Sequence, residues 1–66
     1  MTGTNFGLAP LQISALVGLK DTVRILLERG AEPNMREING RTSLTIALMN
    51  GHTETADILR ENGGTE

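Results

Sequence analysis

The chain has 66 residues, a net charge of −2, no cysteine, one histidine and one aromatic residue, Phe6. A chain this short forms one domain at most and buries only ~60 % of its unfolded surface, so its stability must come from good helix packing, oligomerisation or a larger parent chain. Disulfides and thiolate metal sites are excluded, the interleaved charges give nucleic acid neither a basic stripe nor a stacking platform, and no apolar run nears the ~20 residues of a membrane helix.

His52 has no second histidine with which to share a metal, so neither metal nor cofactor is expected. No charged n-region precedes an apolar h-region. The expectation is a soluble, intracellular protein, cytoplasmic or nuclear, with no nucleic-acid or membrane partner.

The first element is written in "APLQISALVG". Pro10 suits the first helical position, where its missing N–H costs nothing, and Gly18 supplies a left-handed stop. A turn over residues 18–20 then leads to a second helix, predicted over residues 22–29. Asp21 stands at its start, favoured by the helix dipole, and Val23, Leu26 and Leu27 make one apolar face with Ile25 beside them. Gly30 ends it. The polar stretch "AEPNMREING" carries Pro33 and the pair Asn39–Gly40, which fit an extended arm closed by a tight turn. A third helix opens at Thr42, a side chain suited to N-capping, runs through "SLTIALM" and stops at Gly51. The last apolar segment, "ADILRENGG", ends at Gly63.

Slid against itself by 33 positions, the chain matches. Gly7 falls on Gly40, Leu11 on Leu44, Ile13 on Ile46, Gly18 on Gly51, Thr22 on Thr55, Ile25 on Ile58, Leu26 on Leu59 and Gly30 on Gly63. The matching residues are mainly glycines and aliphatics, so a scaffold repeats and not a chemical site. Each unit reads as turn, short helix, tight loop, short helix, extended arm. "GLAPLQISALVG" with "ILLERGAEPN", and "GRTSLTIALMNGH" with "ILRENGG", resemble ankyrin repeats. The resemblance implies an all-α ankyrin-repeat solenoid: two helix-turn-helix repeats joined by a β-turn-like arm, one domain over residues 1–66. Repeat one spans about residues 4–36 and repeat two about residues 37–64. Departures at Ala9, Gln12, Ser43, Thr45 and Leu19 from the usual threonine, histidine and proline positions imply looser turn-to-helix hydrogen bonding on an unchanged fold.

No catalytic constellation is expected. His52 lies in the inter-helix loop, where the resemblance assigns it to backbone bonding, and neither a nucleophile nor an oxyanion loop accompanies it. Arg24 with Glu28 and Asp57 with Arg60 are spaced to meet across a helical turn. Asn34 has a setting similar to that of hydroxylated ankyrin asparagines, but a bond to the loop backbone is the favoured role.

The resemblance implies a non-enzymatic module that binds a partner protein through its turn tips and concave helix face. Those positions are Asn5, Phe6, Leu8, Leu16 and Val17 in the first unit and Ile38, Asn39, Arg41, Met49 and Asn50 in the second. Phe6 and Met49 are the expected anchors, with Arg41 as a polar contact. Packing of these apolar groups on one another is the alternative. At the ends, Ala56, Asp57 and Arg60 replace Val23, Arg24 and Leu27, a face expected to meet water. Leu11, Leu16, Leu19, Ile25 and Leu26 leave the opposite face unsealed. Either the chain is the end of a longer array or targeting piece of a larger protein, or two copies pair through that face as a homodimer.

Overall fold

The computed structural model describes residues 8–66; Asn5 and Phe6 lie outside them. Four helices follow in order: α1 Pro10–Val17, α2 Lys20–Glu28, α3 Ser43–Met49 and α4 Thr53–Glu61. Among the described residues there is no strand. Each repeat is an antiparallel helix pair, α1 with α2 and α3 with α4, and the pairs stack α1 on α3 and α2 on α4.

Local chemistry sets the helix boundaries. Pro10 is the first residue of α1, and Gly18 closes it at φ +85° with Leu19 N–H donating to the Ser14 carbonyl at 3.0 Å. This is the left-handed cap that only glycine adopts without strain. Gly30, Gly51 and Gly63 repeat the device. The second helix starts two residues earlier than predicted. The Leu19 carbonyl already accepts from Val23 N–H at 2.9 Å, so one residue beyond the glycine suffices to turn the chain. Thr42 caps α3 by accepting from Thr45 N–H at 3.3 Å, and its hydroxyl donates to the Thr65 carbonyl at 2.6 Å.

The core comprises Leu11, Ala15 and Val23 from repeat one with Leu44, Ile46, Ala47, Ala56, Ile58 and Leu59 from repeat two. Ala15, Ala47 and Ala56 are fully buried. Such small side chains let neighbouring helices approach closely while still excluding water. Two sequence expectations are corrected here. Ala56 does not face water: it sits in the core, and the face that meets solvent is carried by Asp57 and Arg60. Leu11 is likewise a core residue and does not belong to the open face, whereas Leu26 is half-buried against the core.

Polar ties join α1 to the arm and one repeat to the next. Gln12, almost fully buried, accepts from Ala9 N–H at 2.8 Å and donates through Nε2 to the Met35 carbonyl at 2.8 Å. The expected loosening at this position is thereby offset, because the amide supplies both an acceptor and a donor. The Asn34 side chain bonds backbone, but that of the C-terminal residues and not that of its own loop. Its Nδ2 donates to the Gly63 carbonyl at 2.9 Å and its Oδ1 accepts from Thr65 N–H at 2.8 Å, pinning the C-terminal residues to the first arm. His52 Nε2 lies 3.1 Å from the Leu16 carbonyl, and Lys20 pairs with Glu54 at 2.9 Å. Asp57 pairs with Arg60 as spaced, whereas Arg24 turns to Asp21 at 3.2 Å and not to Glu28.

Candidate partner-binding groove

The arm ends in a tight turn over residues 37–41. Glu37 N–H donates to the Arg41 carbonyl at 2.9 Å and Gly40 N–H to the Glu37 carbonyl at 2.7 Å, with Gly40 at φ +81°. The Glu37 side chain holds the turn from inside. Its Oε1 accepts from Asn39 N–H at 2.6 Å and Arg41 N–H at 2.9 Å, while Oε2 takes the Arg41 guanidinium at 3.0 Å. Foremost the Arg41 backbone N–H, against opposing burial, and then the guanidinium and Asn39 N–H, hold this carboxyl at about 2, down from an ordinary 4.5. Ionised over the neutral range, Glu37 neutralises Arg41 next to it.

The turn overhangs a groove of about 270 Å³ lined by Leu8, Leu16, Glu37, Ile38, Asn39, Arg41, Ile46, Met49 and Asn50. Its apolar wall comes from the first helix of each repeat: Leu16 near the end of α1, Ile46 and Met49 on α3. The rim is polar. Arg41 reaches over Met49, with Nη1 3.7 Å from Sδ, and Asn50 spends its amide donor on the Ile46 carbonyl at 2.8 Å. Ile38 stands at the tip with 82 % of its surface exposed.

Of the residues expected to face a partner, Leu8, Leu16, Ile38, Asn39, Arg41, Met49 and Asn50 are brought together around this one groove. Val17 is exposed but outside the lining, and Phe6 lies outside the described residues. Sequence reading missed Glu37 and Ile46. The signal for Glu37 was present: a carboxylate two residues before Asn39 and four before Arg41 is placed to accept the turn's N–H groups.

A cavity of this size is small for a cofactor, whose pockets run to ~300–1,000 Å³, and suits one or two side chains. Among the described residues no cluster of histidine and carboxylate side chains could hold a metal, and no helix is long and apolar enough to cross a membrane.

A family model described as ankyrin repeats (3 copies) matches residues 1–66. The chain belongs to the ankyrin-repeat family. It is 40 % identical over 53 residues to Rabankyrin-5 of Mus musculus, covering 80 % of this chain and 4 % of that protein. It is 39 % identical over 64 residues to ankyrin repeat domain-containing protein 63 of Homo sapiens, covering 88 % of this chain and 16 % of that one. The chain thus spans only a small part of these relatives. The crystal structure of the human ASB11 ankyrin repeat domain superposes with a TM-score of 0.84 at 33 % identity, over 88 % of this chain and 26 % of that one. The ankyrin-repeat fold is in general a non-enzymatic scaffold for protein–protein interaction.

Proposed function

We propose that this chain is a non-enzymatic module whose groove receives an apolar side chain of a protein partner. The observation that carries this reading is the combination of an apolar wall (Leu16, Ile46, Met49) with a charge-neutral rim, since Arg41 is already paired with Glu37. Clustered apolar surface at a concave site marks an interaction surface, and a rigid turn lowers the ordering cost of binding. Ile38 and Met49 are the anchors that the described residues offer. Ile38 projects from the tip and Met49 lines the groove, its flexible thioether adapting to the incoming group.

The test is a selection of displayed peptides on the full chain, followed by affinity measurement of the enriched sequences. Peptides sharing one large apolar residue are expected. Met49→Glu should weaken their binding at least ~10-fold by placing a charge in the apolar wall. Val17→Glu, outside the lining, should leave it unchanged. Equal loss from both variants, or from neither, contradicts the groove assignment.

A further inference from the structure

The chain carries three Asn–Gly pairs, Asn39–Gly40, Asn50–Gly51 and Asn62–Gly63, and all three asparagines are exposed. Asparagine is a thermolabile residue, and a following glycine, with no Cβ to shield its nitrogen, can close on the side-chain amide. By sequence the three pairs rank equally. The fold separates them.

Asn50 and Asn62 cap α3 and α4, and each ties its side chain back into its helix. Nδ2 of Asn50 donates to the Ile46 carbonyl at 2.8 Å, and Nδ2 of Asn62 to the Ile58 carbonyl at 2.9 Å. Gly51 and Gly63 donate to the Leu48 and Arg60 carbonyls, both at 3.1 Å, and the Gly63 carbonyl also accepts from Asn34. Closing a ring at either pair would unwind a helix end. Asn39 stands instead at the tip of the turn, outside any helix. Its Nδ2 has one partner among the described residues, Glu37 Oε2 at 3.4 Å, a length at which a hydrogen bond contributes little. Glu37 grips the N–H groups of Asn39 and Arg41, whereas the Gly40 N–H between them is held by the Glu37 carbonyl alone. Freeing it needs only a local opening at an exposed tip.

We propose that Asn39 is a site of spontaneous deamidation, whose product turns the neutral rim of the groove acidic. The Gly40 nitrogen gives up its proton to solvent and attacks Cγ of Asn39. The Cγ–Nδ2 bond breaks, and Nδ2 takes a proton from water and leaves as ammonia. Water then opens the five-membered imide. Cleavage at Cγ leaves aspartate, and cleavage at the α-carbonyl leaves isoaspartate, with the main chain running through Cγ. Nothing is oxidised or reduced, and water is the sole co-reactant. Both products add one carboxylate to the turn, and the aspartate sets it against Glu37, whose Oε2 now lies 3.4 Å from Nδ2. Arg41 then faces two carboxylates where it now neutralises one.

The test is peptide mapping by mass spectrometry of the full chain held at mildly alkaline pH, both folded and in urea. In urea the three pairs should react at similar rates. In the folded chain Asn39 should react at least ~10-fold faster than Asn50 or Asn62, because one side-chain hydrogen bond is worth about a factor of ten in rate. Equal rates in the folded chain, a faster Asn50 or Asn62, or no reaction at Asn39 overturns the proposal. The effect on the rim rests on the proposed groove function and is measured separately, on selected peptides that the parent chain binds. Asn39→Asp should improve binding ~2–5-fold where a lysine flanks the apolar anchor and weaken it as much where a glutamate does, the range of an exposed charge pair. Unchanged binding of both peptides overturns the acidic rim. A parent chain that binds neither strikes the groove function, and the mapping alone then decides the modification.

Discussion

At the scale of single residues, Glu37 shows how a polar side chain can organise a surface it does not itself present. Its carboxylate is almost fully buried, bonded to two backbone N–H groups and a guanidinium. The carboxyl, ordinarily at 4.5, is held at about 2 in the folded chain. The unfolded chain therefore binds the proton more readily than the folded chain does, and acid favours unfolding. The stabilisation from Glu37 is fully present above about pH 4.5 and is lost as the pH falls toward 2. Glu54, lowered by its hydrogen bond to Lys20, acts in the same direction but is exposed. Thermal midpoints measured by circular dichroism from pH 6 to pH 2 should fall below pH 4.5. Glu37→Gln should flatten that fall, and Glu54→Gln should change it less. An unchanged acid slope in Glu37→Gln would remove Glu37 from its place as the turn's internal clamp.

At the scale of elements, the starts of α1 and α3 and the stops of all four helices were legible because each rests on a local rule, while the start of α4 at Thr53 was not assigned. Pro10, Thr42 and the glycines at 18, 30, 51 and 63 need no tertiary context to do their work. The start of α2 was not legible, since Lys20 and Asp21 are polar and suit a loop as well as a first helical turn. Ala56 was misread for a related reason. A valine-to-alanine change looks like weakened hydrophobicity along the sequence, whereas at a close helix contact a small side chain improves the fit. The third helix also carries a defect that its partner lacks. Ser43 is buried, its Oγ has no hydrogen-bond partner among the described residues, and it occupies the first position of α3 as Pro10 does in α1. Thr42 before it is extended (φ −87°, ψ 169°), the conformation that a following proline demands. Ser43→Pro should therefore stabilise the fold. It removes an unpaired hydroxyl and restricts the unfolded chain, the latter worth about 0.4–1 kcal/mol. The check is a urea midpoint above that of the parent with an unchanged m-value; a lower midpoint would mean that the ring does not fit beneath the tail.

At the scale of the whole molecule, stability rests on coupling between two helix pairs, neither of which buries its apolar face alone. The groove shares this dependence: Leu16 belongs to repeat one and Ile46 and Met49 to repeat two, so the site exists only while the pairs stay stacked. That was only partly readable beforehand, because the repeat pattern places residues on faces while the clustering of seven of them around one hollow depends on the stacking itself. One tie in the coupling can be isolated. A Cβ at Gly18 would lie 2.6 Å from His52 Nδ1, against the ring that reaches the Leu16 carbonyl. Gly30 has the same left-handed backbone, φ +92°, with open space around it among the described residues. Gly30→Ala should therefore cost only the backbone term, about 1–2 kcal/mol. Gly18→Ala should cost that and, as the imidazole is displaced, a further ~0.5–1.5 kcal/mol for the lost inter-repeat hydrogen bond. In a His52→Ala background the ring is gone, and the two glycine substitutions should become equivalent. Urea denaturation of the six chains, followed by far-ultraviolet circular dichroism, measures the excess. If it persists without the imidazole, the cost at Gly18 arises within α1, and His52 does not couple the repeats.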